Sequence, residues 1–319
     1  MKIYSLSFLL LFQFPCLVPA VESQLNKNKP GVVNIVFKSA DGGQTWLDIS
    51  KGLPEHSADD VFFANKSGLW LRSGKATYHS KPTAAVSVWQ KEIFPDKWTS
   101  IADGKNGLFA YNYRGQIVHK LNGSSVWSPV YTNFQGNIRT VFETAAGVVF
   151  IGSDDGLYRS ANNGKTWKQV DAGGWVIKMV EQQGVLVATS QSGIIQSADG
   201  GESWSVVISE GGVGIDVAGI QGGFAAITYN TMSKTRRVRT SYDGGKTWQA
   251  IDAGLPPSLS VASVIQVGEY FFCSHPAGIF RSADKAKTWK LLLPAVDNKV
   301  FNLSVSGNVI YAIPVDGGC

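Results

Sequence analysis

The stretch Ser197-Ala198-Asp199-Gly200-Gly201-Glu202-Ser203-Trp204 decides the fold, because it is one copy of a repeated pattern, Ser-x-Asp-x-Gly-x-Thr/Ser-Trp. Each copy predicts a tight turn between two antiparallel strands. The Gly would take the left-handed backbone conformation that a Cβ disfavours. The Asp carboxylate would accept backbone N–H groups, and the Trp would begin the outgoing strand and pack back over the turn. We expect these residues to build a turn and to carry no chemistry.

Five copies of the pattern occur, and the fifth has Ala286 where the others have Gly. The defining residues are Ser39, Asp41, Gly43 and Trp46; Ser160, Asn162, Gly164 and Trp167; Ser197, Asp199, Gly201 and Trp204; Ser241, Asp243, Gly245 and Trp248; and Ser282, Asp284 and Trp289. The pattern resembles the Asp-box, or bacterial neuraminidase repeat, which joins the third and fourth strands of a β-propeller blade. The resemblance implies a fold and no single function, because the box occurs in sialidases, other glycoside hydrolases, sortilin-type receptors and photosystem II assembly and stability factors.

The spacing of tryptophans predicts the number of blades. The last four tryptophans of the pattern follow one another at steps of 37, 44 and 41 residues, whereas 121 residues separate Trp46 from Trp167. Trp89 and Trp127 divide that long gap into steps of 43, 38 and 40 residues. Seven tryptophans therefore mark seven outer strands.

The two ends of the repeat predict how the ring closes. Residues 32–38 leave room for one strand before Trp46, and two more strands are predicted at 300–305 and 308–313. Together these strands complete one blade, so no sheet edge is left bare. We predict an all-β fold, a seven-bladed β-propeller of four-stranded antiparallel blades, closed by N- and C-terminal strands that share one blade.

The N-terminal residues predict export. A basic start at Lys2, an apolar run over 3–14 and the small residues Val18 and Ala20 are typical of a signal peptide cleaved after Ala20. Residues 21–30 would form a flexible leader, and 31–319 a single propeller domain. The protein would then be secreted or periplasmic, with no membrane span. Because export is oxidising, we predict a disulfide between Cys273 and Cys319.

Net charge and composition exclude few classes of function. The net charge of +5 is mild and does not indicate a nucleic-acid partner. The four histidines, His56, His79, His119 and His275, share no metal-ligand spacing, so no metal and no cofactor is predicted. We expect a monomer.

Two groups of residues are candidates for binding. Trp98, Arg139, Trp175 and Lys178 fall at the starts of inner strands, around one mouth of the central channel, where they could hold an anionic or peptide ligand. Arg236, Arg237 and Arg239 form a basic strand, a loose analogue of the arginine patch that the resemblance to photosystem II assembly factors implies. The alternatives are that the tryptophans pack between blades and that the basic strand is simply solvated.

The sequence gives less support to the hypothesis of an enzymatic function. The sialidase resemblance implies an arginine triad, but the sequence lacks a Phe/Tyr-Arg-Ile-Pro motif, and Arg72, Arg114 and Arg139 do not fit one. Glu143 and Glu181 are candidates for a glycosidase carboxylate pair, or else are solvated strand ends. We predict a secreted, non-catalytic binding or scaffold propeller for a protein, glycan or other anionic partner, nearest to bacterial relatives of photosystem II assembly factors. The alternative is an exo-α-sialidase-like or other carbohydrate-active hydrolase, or a lectin.

Overall fold

The computed structural model describes residues 35–54, 61–65, 68–73, 76–81, 88–92, 100–130 and 134–315. Within these ranges 28 β-strands form seven sheets, each of four antiparallel strands, and no helix occurs. The seven-bladed β-propeller that the tryptophan spacing predicts is confirmed.

The strands follow one another in short segments. In chain order they are β1 (Phe37–Ser39), β2 (Leu47–Asp48), β3 (Val61–Ala64), β4 (Leu69–Ser73), β5 (Ala76–Ser80), β6 (Gln90–Lys91), β7 (Ser100–Gly104), β8 (Gly107–Tyr111), β9 (Ile117–Leu121), β10 (Ser128–Val130), β11 (Ile138–Glu143), β12 (Val149–Ser153), β13 (Gly156–Ser160), β14 (Lys168–Asp171), β15 (Met179–Gln182), β16 (Val185–Ser190), β17 (Gly193–Ser197), β18 (Ser205–Ile208), β19 (Gly212–Ile220), β20 (Gly223–Asn230), β21 (Thr235–Ser241), β22 (Gln249–Ala250), β23 (Val264–Val267), β24 (Tyr270–His275), β25 (Gly278–Ser282), β26 (Lys290–Pro294), β27 (Val300–Ser306) and β28 (Val309–Val315).

Each of blades 1 to 6 uses four successive strands, from β3–β6 in blade 1 to β23–β26 in blade 6. Blade 7 has the order β2-β1-β28-β27, so it combines strands from both ends of the described chain. Phe37 pairs with Ala312 and Ser39 with Ile310 across its seam. The predicted closure is therefore confirmed.

The strand registers separate two faces of the ring, as blade 3 shows. Ser153 pairs with both Ile138 and Gly156, so the start of the inner strand lies beside the connection between the second and third strands. We call this side the loop face. Val149 pairs with both Glu143 and Ser160, which places the Ser-x-Asp turn on the opposite side; we call that side the Ser-x-Asp face.

Blade 5 extends furthest on the loop face. Its strands β19, β20 and β21 have 9, 8 and 7 residues. Asn230 pairs with both Gly212 and Thr235, and the hairpin turns over residues 231–234. Met232 at this tip is 89% exposed. The hairpin is an elongation of the common blade rather than a separate element.

Apolar side chains between neighbouring blades hold the ring together. The second strands are buried over most of their length, and β12 is buried at every residue, as expected for strands covered on both sides. At the seam, Phe37, Phe272 and Phe301 belong to one core between blades 6 and 7. Tyr311 packs with Leu69 and Leu71 in the core between blades 7 and 1. Because each blade buries its two faces against its neighbours, no blade has a complete core alone.

The Ser-x-Asp turns have the hydrogen bonds that the sequence predicts. Ser197 Oγ donates to Asp199 Oδ1 at 2.7 Å and accepts from Gly201 N at 2.9 Å. Asp199 also accepts from Ser203, both from its backbone N at 3.1 Å and from Oγ at 2.5 Å. Gly201 has a φ of 83°, and Ala286 at the same position of the fifth copy takes a φ of 65°. Trp204 is half-buried and donates Nε1 to the Gly201 carbonyl at 3.2 Å.

We expect these turns to make the free energy of unfolding fall as the pH becomes acidic. Hydrogen bonds from the Ser203 hydroxyl and backbone hold the pKa of Asp199 well below its usual range, and Thr247 and Thr288 lower the pKa of Asp243 and Asp284 in the same way. A carboxyl whose pKa is lower in the folded than in the unfolded chain stabilises the fold above the unfolded pKa of about 3.9. That contribution is lost as the pH falls below about 4.

The second copy supplies a neutral control for this effect. Asn162 accepts Thr166 N at 2.9 Å and Ser160 Oγ at 2.9 Å without a charge. We expect Asp199→Asn to keep the turn and to lower Tm chiefly above pH 5, so that its Tm difference from the parent shrinks towards pH 2. Asn162→Asp should show the reverse. A Tm difference that stays constant from pH 2 to pH 7 would contradict the carboxylate's role.

Several predictions fall on residues outside the described ranges. These are the signal peptide at 1–20, the leader at 21–30, Trp98 and Cys319. Within the described residues, no helix is long and apolar enough to cross a membrane.

Cys273 is buried in β24, and the disulfide with Cys319 stays a prediction. Its side chain packs with Val238 and Val264 in the core that blade 6 shares with blade 5. Burial raises the pKa of the Cys273 thiol well above its usual value. Because Cys319 lies outside the described residues, nothing in the structure tests this bond.

Candidate functional site

The inner strands of all seven blades line a central channel with a volume of about 780 Å³. Every blade contributes to its wall, with Phe62, Ala102, Val141, Met179, Ile215, Ser263 and Leu303 as examples. Arg139 and Lys178, two of the predicted site residues, also line it. Both lie where inner strands begin, on the loop face.

Lys178 is held by a buried carboxylate. Its Nζ lies 2.5 Å from Asp216 Oδ1, and the Lys178 side chain is 44% exposed while that of Asp216 is 5% exposed. Asp216 Oδ2 accepts Val264 N at 3.1 Å, so this one carboxylate links blades 4, 5 and 6. An ammonium has three N–H donors and the pair with Asp216 uses one. Among the described residues, Lys178 Nζ donates to no other group.

Arg139 is oriented by a second carboxylate. Its Nε donates to Asp154, which also accepts Tyr113 Oη at 2.8 Å and Asn137 Nδ2 at 2.8 Å. The amide of Asn137, the hydroxyl of Tyr113 and the Arg139 guanidinium hold the pKa of Asp154 below its usual range. The Arg139 side chain is 39% exposed. Its two Nη groups donate to no other residue in the part of the chain that the structure describes.

Trp175 lies apart from this channel wall. It precedes β15 on the loop face and is half-buried, and its carbonyl accepts Gln191 N at 3.2 Å. The channel lining includes Arg139 and Lys178 but not Trp175. The structure therefore brings together two of the four residues predicted at this mouth, and the fourth, Trp98, is outside the described ranges.

The side chains of the basic strand alternate between two faces, and carboxylates pair with two of its three arginines. Arg237 and Arg239 share one face of β21, and Arg236 is buried on the other. Arg237 donates to both oxygens of Asp252, at 2.7 and 3.1 Å. This two-bond pair raises the pKa of Arg237.

The other two arginines also bind within the protein. Arg239 forms an ion pair with Glu210 and donates Nη1 to Thr228 Oγ1 at 2.8 Å. Arg236 is 8% exposed and donates Nη1 to the Val261 carbonyl at 2.7 Å. These contacts fix β21 to the segments beside it, so the strand presents less positive charge than its sequence suggests.

The candidate glycosidase carboxylates Glu143 and Glu181 bind neighbouring blades. Each lies at the end of an inner strand and accepts a backbone N–H from the turn of the preceding blade, and a Gln does the same in blade 6. The three bonds are Lys105 N to Glu143 Oε2 at 2.8 Å, Ala145 N to Glu181 Oε2 at 2.7 Å and Gln221 N to Gln266 Oε1 at 2.7 Å. The arrangement indicates a structural tie between blades. Among the described residues, no group of three His, Cys, Asp or Glu is placed to hold a metal ion.

A second series of hydrogen bonds joins neighbouring blades, and the sequence does not predict it. The residue before the first Ser of a Ser-x-Asp turn donates to a backbone carbonyl in the next blade's turn. The bonds are Arg159 Nε to Gly200 O at 3.0 Å, Gln196 Nε2 to Gly244 O at 3.1 Å and Arg281 Nη1 to Gly42 O at 2.8 Å. The only sequence signal is a long polar side chain at a fixed position, because the acceptor belongs to the backbone.

Comparison with known proteins places the fold. No family model and no curated protein matches the chain. A solved structure of YCF48 bound to a D1 peptide is similar, with a TM-score of 0.56 and 14% identity over 82% of this chain and 95% of that one. An ancestral GH74 enzyme is similar at a TM-score of 0.60 and 14% identity, over 88% of this chain and 45% of that one.

A third neighbour is the extracellular domain of the hybrid two component system BT4673 from B. thetaiotaomicron. Its TM-score is 0.58 at 11% identity, over 76% of this chain and 35% of that one. The chain thus spans less than half the length of the GH74 and BT4673 chains. At these identities the likeness shows a β-propeller fold, shared by binding proteins and an enzyme, and does not decide function.

Proposed function

We propose that this chain is a non-catalytic binding propeller that holds an acidic segment of a partner protein at the loop-face mouth of its channel. The observation that carries the proposal is the pair Arg139 and Lys178. They line the channel in neighbouring blades, both side chains are more than a third exposed, and both keep N–H donors beyond those bound to Asp154 and Asp216.

The geometry suits carboxylates. A guanidinium presents its donors in a planar fork that matches two carboxylate oxygens. Because Asp154 already fixes the Nε side of Arg139, little side-chain freedom is lost on binding. The Lys178 ammonium adds a second, less directional cation. A peptide with acidic side chains could bridge the two.

Other features support this class of function. The five Ser-x-Asp turns favour membership of the Asp-box propellers, near the relatives of photosystem II assembly factors, and the solved YCF48 structure holds a peptide. Glu143 and Glu181 each accept a backbone N–H, which favours a structural role over hydrolysis. The signal-peptide pattern at 1–20 supports a secreted or periplasmic protein. The proposed function requires no metal and no cofactor.

The test is fluorescence anisotropy with a labelled hexaglutamate peptide and its hexaglutamine analogue. Arg139→Gln should weaken hexaglutamate binding by at least tenfold, because one charge-assisted hydrogen bond contributes about 1.5–3 kcal/mol. Lys246→Gln, which removes an exposed cation on the Ser-x-Asp face, is the matched control and should leave affinity nearly unchanged. Equal affinity of parent and Arg139→Gln, or equal binding of the two peptides, would overturn the proposal.

The same assay separates the channel mouth from the basic strand. Arg237 is held in two hydrogen bonds by Asp252. We therefore expect Arg237→Gln to change the free energy of unfolding more than the free energy of peptide binding. A selective loss of hexaglutamate binding in Arg237→Gln, with Arg139→Gln unaffected, would move the site to β21.

A further inference from the structure

Among the described residues, the junction between blades 2 and 3 lacks an inter-blade bond that three other junctions have. Phe109 pairs with His119 across β8 and β9 as Phe150 pairs with Arg159 across β12 and β13. His119 therefore occupies the position from which Arg159 reaches the next blade. Its Nε2 is buried and has no hydrogen-bond partner among the described residues.

The Asn163 carbonyl, which lies at the acceptor position of this junction, also receives no hydrogen bond from the described residues. Asn163 occupies the place of Gly200 in its Ser-x-Asp turn and has a similar left-handed backbone, with φ of 57° against 71°. Gly200 O accepts Arg159 Nε, whereas no residue in the described ranges donates to the Asn163 carbonyl. The junction thus contains an imidazole nitrogen and a carbonyl that have no hydrogen-bond partner in the described part of the chain.

A cavity lies at this place. Two openings of about 170 and 310 Å³ adjoin each other, and both are lined by His119, Asn163, Leu121 and Val130. Phe109 and Trp167 add aromatic wall to the smaller one. The ring of His119 is stacked on Phe109, with centroids 4.4 Å apart and an interplanar angle of 11°. The imidazole is therefore fixed at the edge of a largely apolar space.

We propose that this inter-blade cavity binds a small phenolic molecule, with its ring against the apolar wall and its hydroxyl bonded to His119 Nε2. The smaller opening has the size of an engineered apolar cavity of about 150 Å³ that binds benzene. A single hydroxyl meets the unpartnered nitrogen and donates its one hydrogen to it. The site is distinct from the channel mouth and does not rest on its function.

The charge of the site favours a neutral ligand. Burial lowers the pKa of His119, so the imidazole is neutral near pH 7 and can accept a hydrogen bond from a phenol. Glu143 also lines the smaller opening, which disfavours an anionic ligand such as a benzoate. A cation would lose hydration against the apolar wall without gaining a buried partner beyond that one carboxylate.

The experiment measures binding of p-cresol and toluene by saturation-transfer NMR titration. The two differ by one hydroxyl, so p-cresol should bind the parent about tenfold more tightly, as one hydrogen bond predicts. His119→Phe keeps an aromatic ring on Phe109 and should reduce p-cresol to the affinity of toluene. Equal binding of the two compounds by the parent would overturn the proposal and leave water as the occupant.

A second variant tests the location. His119→Arg introduces the side chain that spans the equivalent junction from Arg159. It should occupy the cavity, abolish p-cresol binding and raise Tm by restoring the inter-blade bond to Asn163. Unchanged p-cresol affinity in a folded His119→Arg protein would place the phenol elsewhere and overturn the assignment. The parent's comparison of p-cresol with toluene decides the matter even if a variant fails to fold.

Discussion

Deletion of residues 300–319 should abolish cooperative folding. The deletion removes β27 and β28, and β28 is the only strand that pairs β1 to the rest of blade 7 in the described structure. It also removes Phe301 from the core with blade 6 and Tyr311 from the core with blade 1. Two neighbouring blades would then expose apolar faces, a loss larger than the total stability of a typical domain of about 5–15 kcal/mol.

Circular dichroism and calorimetry would measure the effect. A shorter truncation of 316–319 keeps β28 and is the matched control, with an expected Tm close to that of the parent. Both should be compared in reducing buffer, which removes any contribution of a Cys273–Cys319 bond. A 300–319 deletion that still melts cooperatively near the parent Tm would show that blade 7 is dispensable.

Lys178→Met should lower the free energy of unfolding by about 2–4 kcal/mol, because it leaves a buried charge without its partner. Asp216 is only 5% exposed, and Val264 N would be its remaining hydrogen-bond donor among the bonds described above. The double variant Lys178→Met/Asp216→Asn removes the charge with its partner and should recover most of the loss. Urea unfolding gives both values.

The control makes the same substitution at an exposed pair. Lys168 Nζ lies 3.0 Å from Glu202 Oε2, and the two side chains are 68% and 46% exposed. Lys168→Met should cost less than about 1 kcal/mol, as surface ion pairs do. If Lys178→Met costs no more than Lys168→Met, or the double variant recovers nothing, the buried pair does not stabilise the channel wall.

Much of the fold could be predicted because its signals are local. A Ser-x-Asp turn is built within eight residues, and a Trp marks each outer strand, so counting positions such as Trp89 and Trp127 was sufficient to count blades. The closure of blade 7 followed from the same count. The turn residues repeat at a nearly constant spacing, and that spacing can be recognised even where individual residues differ.

The site was less predictable because its partners are distant in sequence. The sequence shows three arginines in β21 but not that Asp252 and Glu210 lie opposite Arg237 and Arg239. Likewise Lys178 and Asp216 belong to different blades, and only the ring brings them together. The inter-blade bond from Arg159 ends on a backbone carbonyl, which has no residue signature.

The long hairpin of blade 5 has a consequence for how this protein can change. Its extra length lies entirely on the loop face, ending at residues 231–234, while the Ser-x-Asp turn of the same blade keeps its hydrogen bonds. Segments inserted at such tips lengthen one hairpin and displace no blade. New binding segments can therefore be acquired, or grafted by design, on the loop face without changing the Ser-x-Asp turns on the opposite face.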